Sequence, residues 1–117
     1  MAIQRYNSGK RMSQAVAANG LLFLAGQVAD DADASVEVQT EHVLAKIDAL
    51  LAGAGTSKSR VLSVSVLLPN IVDFDRMNSV YDAWIDPANP PARACYEARL
   101  AHPSLRVEIV ATAALSD

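Results

Sequence analysis

The run Val61-Leu62-Ser63-Val64-Ser65-Val66-Leu67-Leu68, closed by Pro69-Asn70, contains no charge, no glycine and no proline before its end. It reads as the strongest β-strand of the chain. Side chains two apart on a strand share a face. One face is therefore Leu62, Val64, Val66 and Leu68, and the other is Val61, Ser63, Ser65 and Leu67. Neither is dressed for water, so a chain built on this strand has to cover both sides of its sheet.

The flanking segments supply the cover for one side. Gln14–Ala18 and Leu21–Ala25 surround Asn19-Gly20, the dipeptide suited to a two-residue type I′ hairpin turn. A short strand near Ile3–Arg5 is expected to pair with them, and Gly26 ends the hairpin where a missing side chain permits close approach. After the polar loop Asp30–Ala34, Ser35 is a good N-cap for a helix running to about Gly53. Val36, Val43, Leu44, Ile47, Leu50, Leu51 and Ala54 recur at helical spacing, with Glu37, Glu41 and Asp48 on the other side. Gly53 and Gly55 read as its stop rather than as a phosphate cradle.

A second helix is expected from about Asp73 to Ile85, with Phe74, Met77, Tyr81, Trp84 and Ile85 forming its core stripe. Asp86-Pro87 ends it, because the residue before a proline is driven out of the α region. Ala94–Leu100 reads as a strand, and so does Leu105–Leu115, where Leu105, Val107, Ile109, Ala111 and Ala113 alternate with Arg106, Glu108, Val110, Thr112 and Ala114. The order is β-β-β-α-β-α-β-β, an α+β class with one mixed sheet and two helices on one face. On the second face Val110, Thr112, Ala114, Ser63, Ser65 and Cys95 are small or apolar rather than charged. Water-washed sheet faces carry more Lys, Glu and Arg, so other subunits are expected to bury this one.

At 117 residues, 20% charged and 51% hydrophobic, the chain is expected to form a single ordered domain over 1–117. Its formal charge is -3, with Lys and Arg scattered, which argues against a nucleic-acid partner or an anionic membrane surface. No apolar run approaches a membrane span. The single cysteine excludes an intrachain disulfide, and Met1-Ala2-Ile3-Gln4-Arg5 lacks a signal-peptide core, so a cytoplasmic location is expected. His42, His102 and one cysteine do not make a metal site, and no metal or cofactor is expected.

Pro90-Pro91-Ala92-Arg93-Ala94-Cys95 holds the candidate chemistry. The prolines stiffen the approach, and Arg93 and Cys95 point the same way on the strand that follows. A guanidinium offers a planar fork that matches a carboxylate two bonds at a time. Arg93 is thus a grip for a small acid or an ordinary ion-pair partner. Cys95 has no histidine tied to it by spacing and reads as a small pocket residue rather than a nucleophile. Asn78 is either a pocket residue or a solvated helix position.

Gln14-Ala15-Val16, Leu24-Ala25-Gly26-Gln27-Val28, Met77-Asn78-Ser79-Val80-Tyr81, Pro91-Ala92-Arg93-Ala94-Cys95 and Val107-Glu108-Ile109 together resemble the Rid family. These are the reactive intermediate deaminases, also called YjgF-type or L-PSP endoribonuclease-like proteins. The resemblance covers nearly the whole chain. It implies a chorismate-mutase-like fold of the bacillary type and a homotrimer with a central β-barrel and pockets between subunits. It also implies hydrolysis of enamines and 2-imino acids to 2-oxo acids and ammonia, of the 2-iminobutanoate/2-iminopropanoate deaminase type, without a cofactor.

By position, Arg93 would bind the substrate carboxylate and the Cys95 backbone its nitrogen. Gly26 would form pocket wall, and Asn78 would reach in from the second helix. Three departures are expected: Met12 where members carry a tyrosine, Ala25 where they often carry a serine, and Val110 where they carry the glutamate that holds the attacking water. Glu97, on the Arg93 face, is expected to pair with an arginine rather than to contact water. Three functions follow. They are an imine deaminase with a less polar pocket, a non-catalytic regulatory trimer binding small carboxylates, and RNA cleavage, which the acidic chain disfavours.

Overall fold

Asn19 and Gly20 both adopt positive φ, 53° and 79°, as a type I′ turn requires. They close β2 (Ala15–Ala18) onto β3 (Leu21–Leu24), and β1 (Gln4–Tyr6) adds to the outer side of β2. The structure, a computed structural model, describes residues 2–115; the ends of the expected 1–117 domain, Met1, Ser116 and Asp117, lie outside the described residues. Ser35 caps α1 (Val36–Gly53) as anticipated, its hydroxyl accepting from the Val38 amide at 3.2 Å. Then come β4 (Val61–Leu68), a 3-10 turn over Ile71–Asp73, α2 (Phe74–Trp84), β5 (Ala92–Glu97) and β6 (Glu108–Ala114).

The six strands form one sheet in the order β1-β2-β3-β6-β4-β5. β4 and β5 are parallel and joined through α2, and every other pairing is antiparallel. Val64, Val66, Leu68, Ile109, Ala111, Ala113, Leu22 and Leu24 share a core with Val43, Leu44, Ile47 and Leu51 of α1 and Met77 of α2. The expected class is therefore found, a mixed sheet with two helices. Among the described residues no helix is long and apolar enough to cross a membrane.

Four details depart from the sequence reading. The first is that β6 starts at Glu108 rather than at Leu105, because the backbone at Ser104 and Arg106 is taken by the Gln39 side chain instead of a neighbouring strand. Val61 pairs with Ala113 and Ser63 with Thr112, so Leu62 is the extra residue of a bulge; Val61 turns inward and Leu62 is 48% exposed. β5 begins at Ala92 and ends at Glu97, earlier than expected, because pairing starts directly after the prolines with Ala92 beside Ser63. Cys95 lies opposite Val66, so it belongs to the helix-covered face and not to the second face.

The second face is consistent along its rows. Phe23, Thr112, Ser63 and Ala92 form one; Val110, Ser65 and Ala94 the next; Glu108, Leu67 and Tyr96 the third. The loop leading into β6 is fixed from the helix side. Buried Gln39 donates to the carbonyls of Ala32, Ala34 and Ser104 and accepts from the Arg106 amide, while the buried Asp73 carboxylate takes the Arg106 guanidinium on both oxygens.

Candidate active site

Arg93 stands opposite buried Val64, so its side chain leaves the sheet on the helix side, at the edge where α2 passes. Asn78 and Tyr81 are three apart on α2 and share a helix face. Arg93 Nη1 donates to Asn78 Oδ1 at 2.8 Å. The guanidinium carbon lies 4.7 Å from the centre of the Tyr81 ring and 5.9 Å from that of Phe74. Arg93 is itself exposed.

The same strand face continues downstream. Cys95 packs half-buried against the core, and burial pushes its thiol above the ordinary range although Arg93 nearby pulls the other way. That is the reverse of an activated nucleophile. Glu97 is not paired with an arginine: its Oε2 accepts from the Ile71 amide at 2.9 Å, tying β5 to the turn that opens α2. Burial also raises the Tyr81 phenol, outweighing the lowering effect of Arg93, so the ring stays neutral through the physiological range.

A second cluster gathers around Gly26. Gln27 and Ile109 exchange backbone hydrogen bonds of 2.9 and 3.1 Å. This bridge lays the Glu108 side chain over Gly26. A β-carbon at Gly26 would stand 2.8 Å from the Glu108 carboxyl carbon, so any larger residue would displace the carboxylate. Val110 sits two residues further along the same face beside Ser65. Buried Gln27 donates through Nε2 to Gln14 Oε1 and to the Ala25 carbonyl, at 2.9 and 3.0 Å. Gln14 follows the loop that carries exposed Met12, where Gly9 N–H closes on the Met12 carbonyl at 2.8 Å.

Among the sequence candidates, the structure thus brings Arg93, Asn78 and Cys95 together on the helix face. Gly26 and Val110 gather on the other side around Glu108, with Met12 on the adjoining loop. Arg93 shares its register row with Val64, whereas Glu108 shares one with Leu67 and Tyr96, so the two leave opposite faces. Sequence reasoning missed Tyr81 and Phe74 as partners of Arg93 and Glu108 as the partner of Gly26. Helical spacing from Asn78 could have flagged Tyr81. Among the described residues no three His, Cys, Asp or Glu side chains cluster as a metal site.

The chain matches the family model Endoribonuclease L-PSP over residues 2–115. It is 44% identical over 114 residues to a RutC family protein of Haemophilus ducreyi, covering 97% of each chain. A crystal structure of a member of the YjgF protein family from Neisseria meningitidis is 45% identical and superposes with a TM-score of 0.97, covering 100% of this chain and 98% of that one. Reactive Intermediate Deaminase A, chloroplastic, of Arabidopsis thaliana is 33% identical over 109 residues, 88% of this chain and 58% of that protein.

Proposed function

Because the chain belongs to the L-PSP endoribonuclease-like family, the Rid/YjgF group, we propose that it hydrolyses reactive enamines and 2-imino acids to 2-oxo acids and ammonia. The observation that carries this is Arg93, held at an open edge by neutral partners with most of its donors uncommitted.

The substrate carboxylate pairs with that fork. An enamine first takes a proton at its β-carbon and becomes an imine. Water then adds to the C=N carbon, and the carbinolamine expels ammonia to leave the 2-oxo acid. Imines already hydrolyse in water, so orientation of acid and water is the main demand on the protein. The Cys95 backbone takes the imine nitrogen. The Glu108 carboxylate over Gly26 orients the water, the task the sequence reading had tied to the position of Val110. Met12 and Ala25 make the pocket less polar and favour apolar substrate side chains.

Arg93 and Glu108 leave opposite faces of one sheet, so both can reach one ligand only where two copies meet. A homotrimer that buries the second face around a central β-barrel meets this need, with its pockets between subunits. The test generates 2-imino acids in place with an amino-acid oxidase, using a small and a bulky side chain. Wild type should shorten the imine lifetime, and Arg93→Ala should lose roughly 10- to 100-fold, the scale of a charge-assisted hydrogen-bonded pair. A trimer that binds 2-oxo acids but leaves imine lifetimes unchanged would instead be a carboxylate-binding regulatory protein.

A further inference from the structure

Arginine on an edge strand has many rotamers, and a binding site that must order it at each encounter loses affinity. Here the order is built in, and by unusual partners. Among the described residues, the Arg93 guanidinium meets the Asn78 carbonyl oxygen, the rings of Tyr81 and Phe74, and the Tyr81 hydroxyl, which it also pulls toward ionisation. None is a carboxylate. A carboxylate there would hold the arginine more firmly but would also compete with an anionic ligand for its charge. An amide oxygen and the negative face of a ring fix a guanidinium without neutralising it.

The platform is itself immobile. Tyr81 is 6% exposed and belongs to the hydrophobic core. Its ring packs on Trp84 with centroids 5.9 Å apart, and the Trp84 indole N–H donates to Asp48 Oδ2 at 2.9 Å, bracing α2 against α1. The closer ring, at 4.7 Å, is thus the one that cannot drift, whereas Phe74 is the more exposed and more distant of the pair.

We infer that Tyr81 is a positioning residue for Arg93: its ring face, with the Asn78 carbonyl oxygen, forms a neutral cradle that sets the guanidinium plane and leaves the charge free for a substrate carboxylate. This rests on the reading of Arg93 as the carboxylate grip. Binding of a simple 2-oxo acid and imine turnover would be measured for wild type, Arg93→Ala, Tyr81→Leu, Tyr81→Phe and Asn78→Asp.

Tyr81→Leu should bind the 2-oxo acid about 3- to 10-fold more weakly, with the loss in KM rather than kcat, and Tyr81→Phe should recover the share that the ring face supplies. Asn78→Asp, nearly isosteric, should weaken binding at neutral pH and regain it as the pH falls through the new carboxyl's titration. If Arg93→Ala binds as wild type, the grip reading itself falls. If Arg93→Ala abolishes binding while Tyr81→Leu binds normally, the grip stands and the cradle is overturned. Should Tyr81→Leu not fold, Asn78→Asp decides: binding equal to wild type at neutral pH overturns the neutral cradle.

Discussion

On the helix side of the sheet Val64, Val66, Leu68, Ile109 and Ala113 are sealed beneath α1 and α2. On the other side the same sheet leaves Phe23 and Tyr96 47% and 49% exposed, with Ser63, Ser65, Val110 and Thr112 between them. The first face finds its cover within the chain. The second carries aromatic rings and small residues, with Glu108 in one row, where a solvated face would carry more Lys and Glu, and no helix among the described residues covers it. The contrast separates what makes the chain fold from what the proposed trimer would bury. It also separates Arg93, on one face, from Glu108, on the other.

The largest expected effect belongs to the sealed face. Leu68→Ala removes a fully buried side chain and should cost about 2–5 kcal/mol, read as a lower denaturation midpoint. A loss well under 1 kcal/mol would mean that the two faces differ less than they look. On the open face Ser65→Glu should spare the fold of the single chain, since Ser65 is only half-buried between Val110 and Ala94. On the proposed trimer, light scattering should instead show the mass falling from three copies toward one, with imine hydrolysis falling alongside it. An unchanged mass would make this face a solvent face.

The smallest effect sharpens the placement of Cys95. Burial raises its thiol in the folded protein, so the unfolded chain ionises first. Its contribution to stability is complete below the ordinary thiol range and declines as the pH rises through that range towards the raised folded value. Alkylation in mildly alkaline buffer should be slower for folded than for denatured protein. Equal rates would place Cys95 in water rather than against the helix-side core.

Local signals were readable wherever one segment determines its own structure. Asn19-Gly20 announces its turn, Ser35 its cap, and Val64-x-Val66-x-Leu68 its buried face. Parity along β5 correctly puts Arg93 and Cys95 on one side, but parity alone does not say which side. That depends on register with β4, which pairs Cys95 with Val66. The bulge at Leu62 escaped because unbroken alternation in sequence hides an extra residue that only the partner strand reveals. Glu97 and Tyr81 each answer a contact across the β5–α2 boundary, one to the Ile71 amide and the other to Arg93. Glu108 over Gly26 joins residues far apart in the chain through the Gln27–Ile109 bridge, which no spacing rule encodes.

The position of β6 has a further consequence for the order in which the molecule can be completed. It emerges after every other strand, yet it lies between β3 and β4 and alone links the β1-β2-β3 meander to the β4–β5 pair in the ladder. Until it inserts, the chain is two fragments with no shared sheet. Arg93 and Asn78 lie only fifteen residues apart, so their contact closes a short loop early. The carboxylate over Gly26 arrives with the closing strand itself. The approach of the Glu108 carboxylate to Gly26 therefore waits for the closing strand, whereas the contact between Arg93 and Asn78 does not.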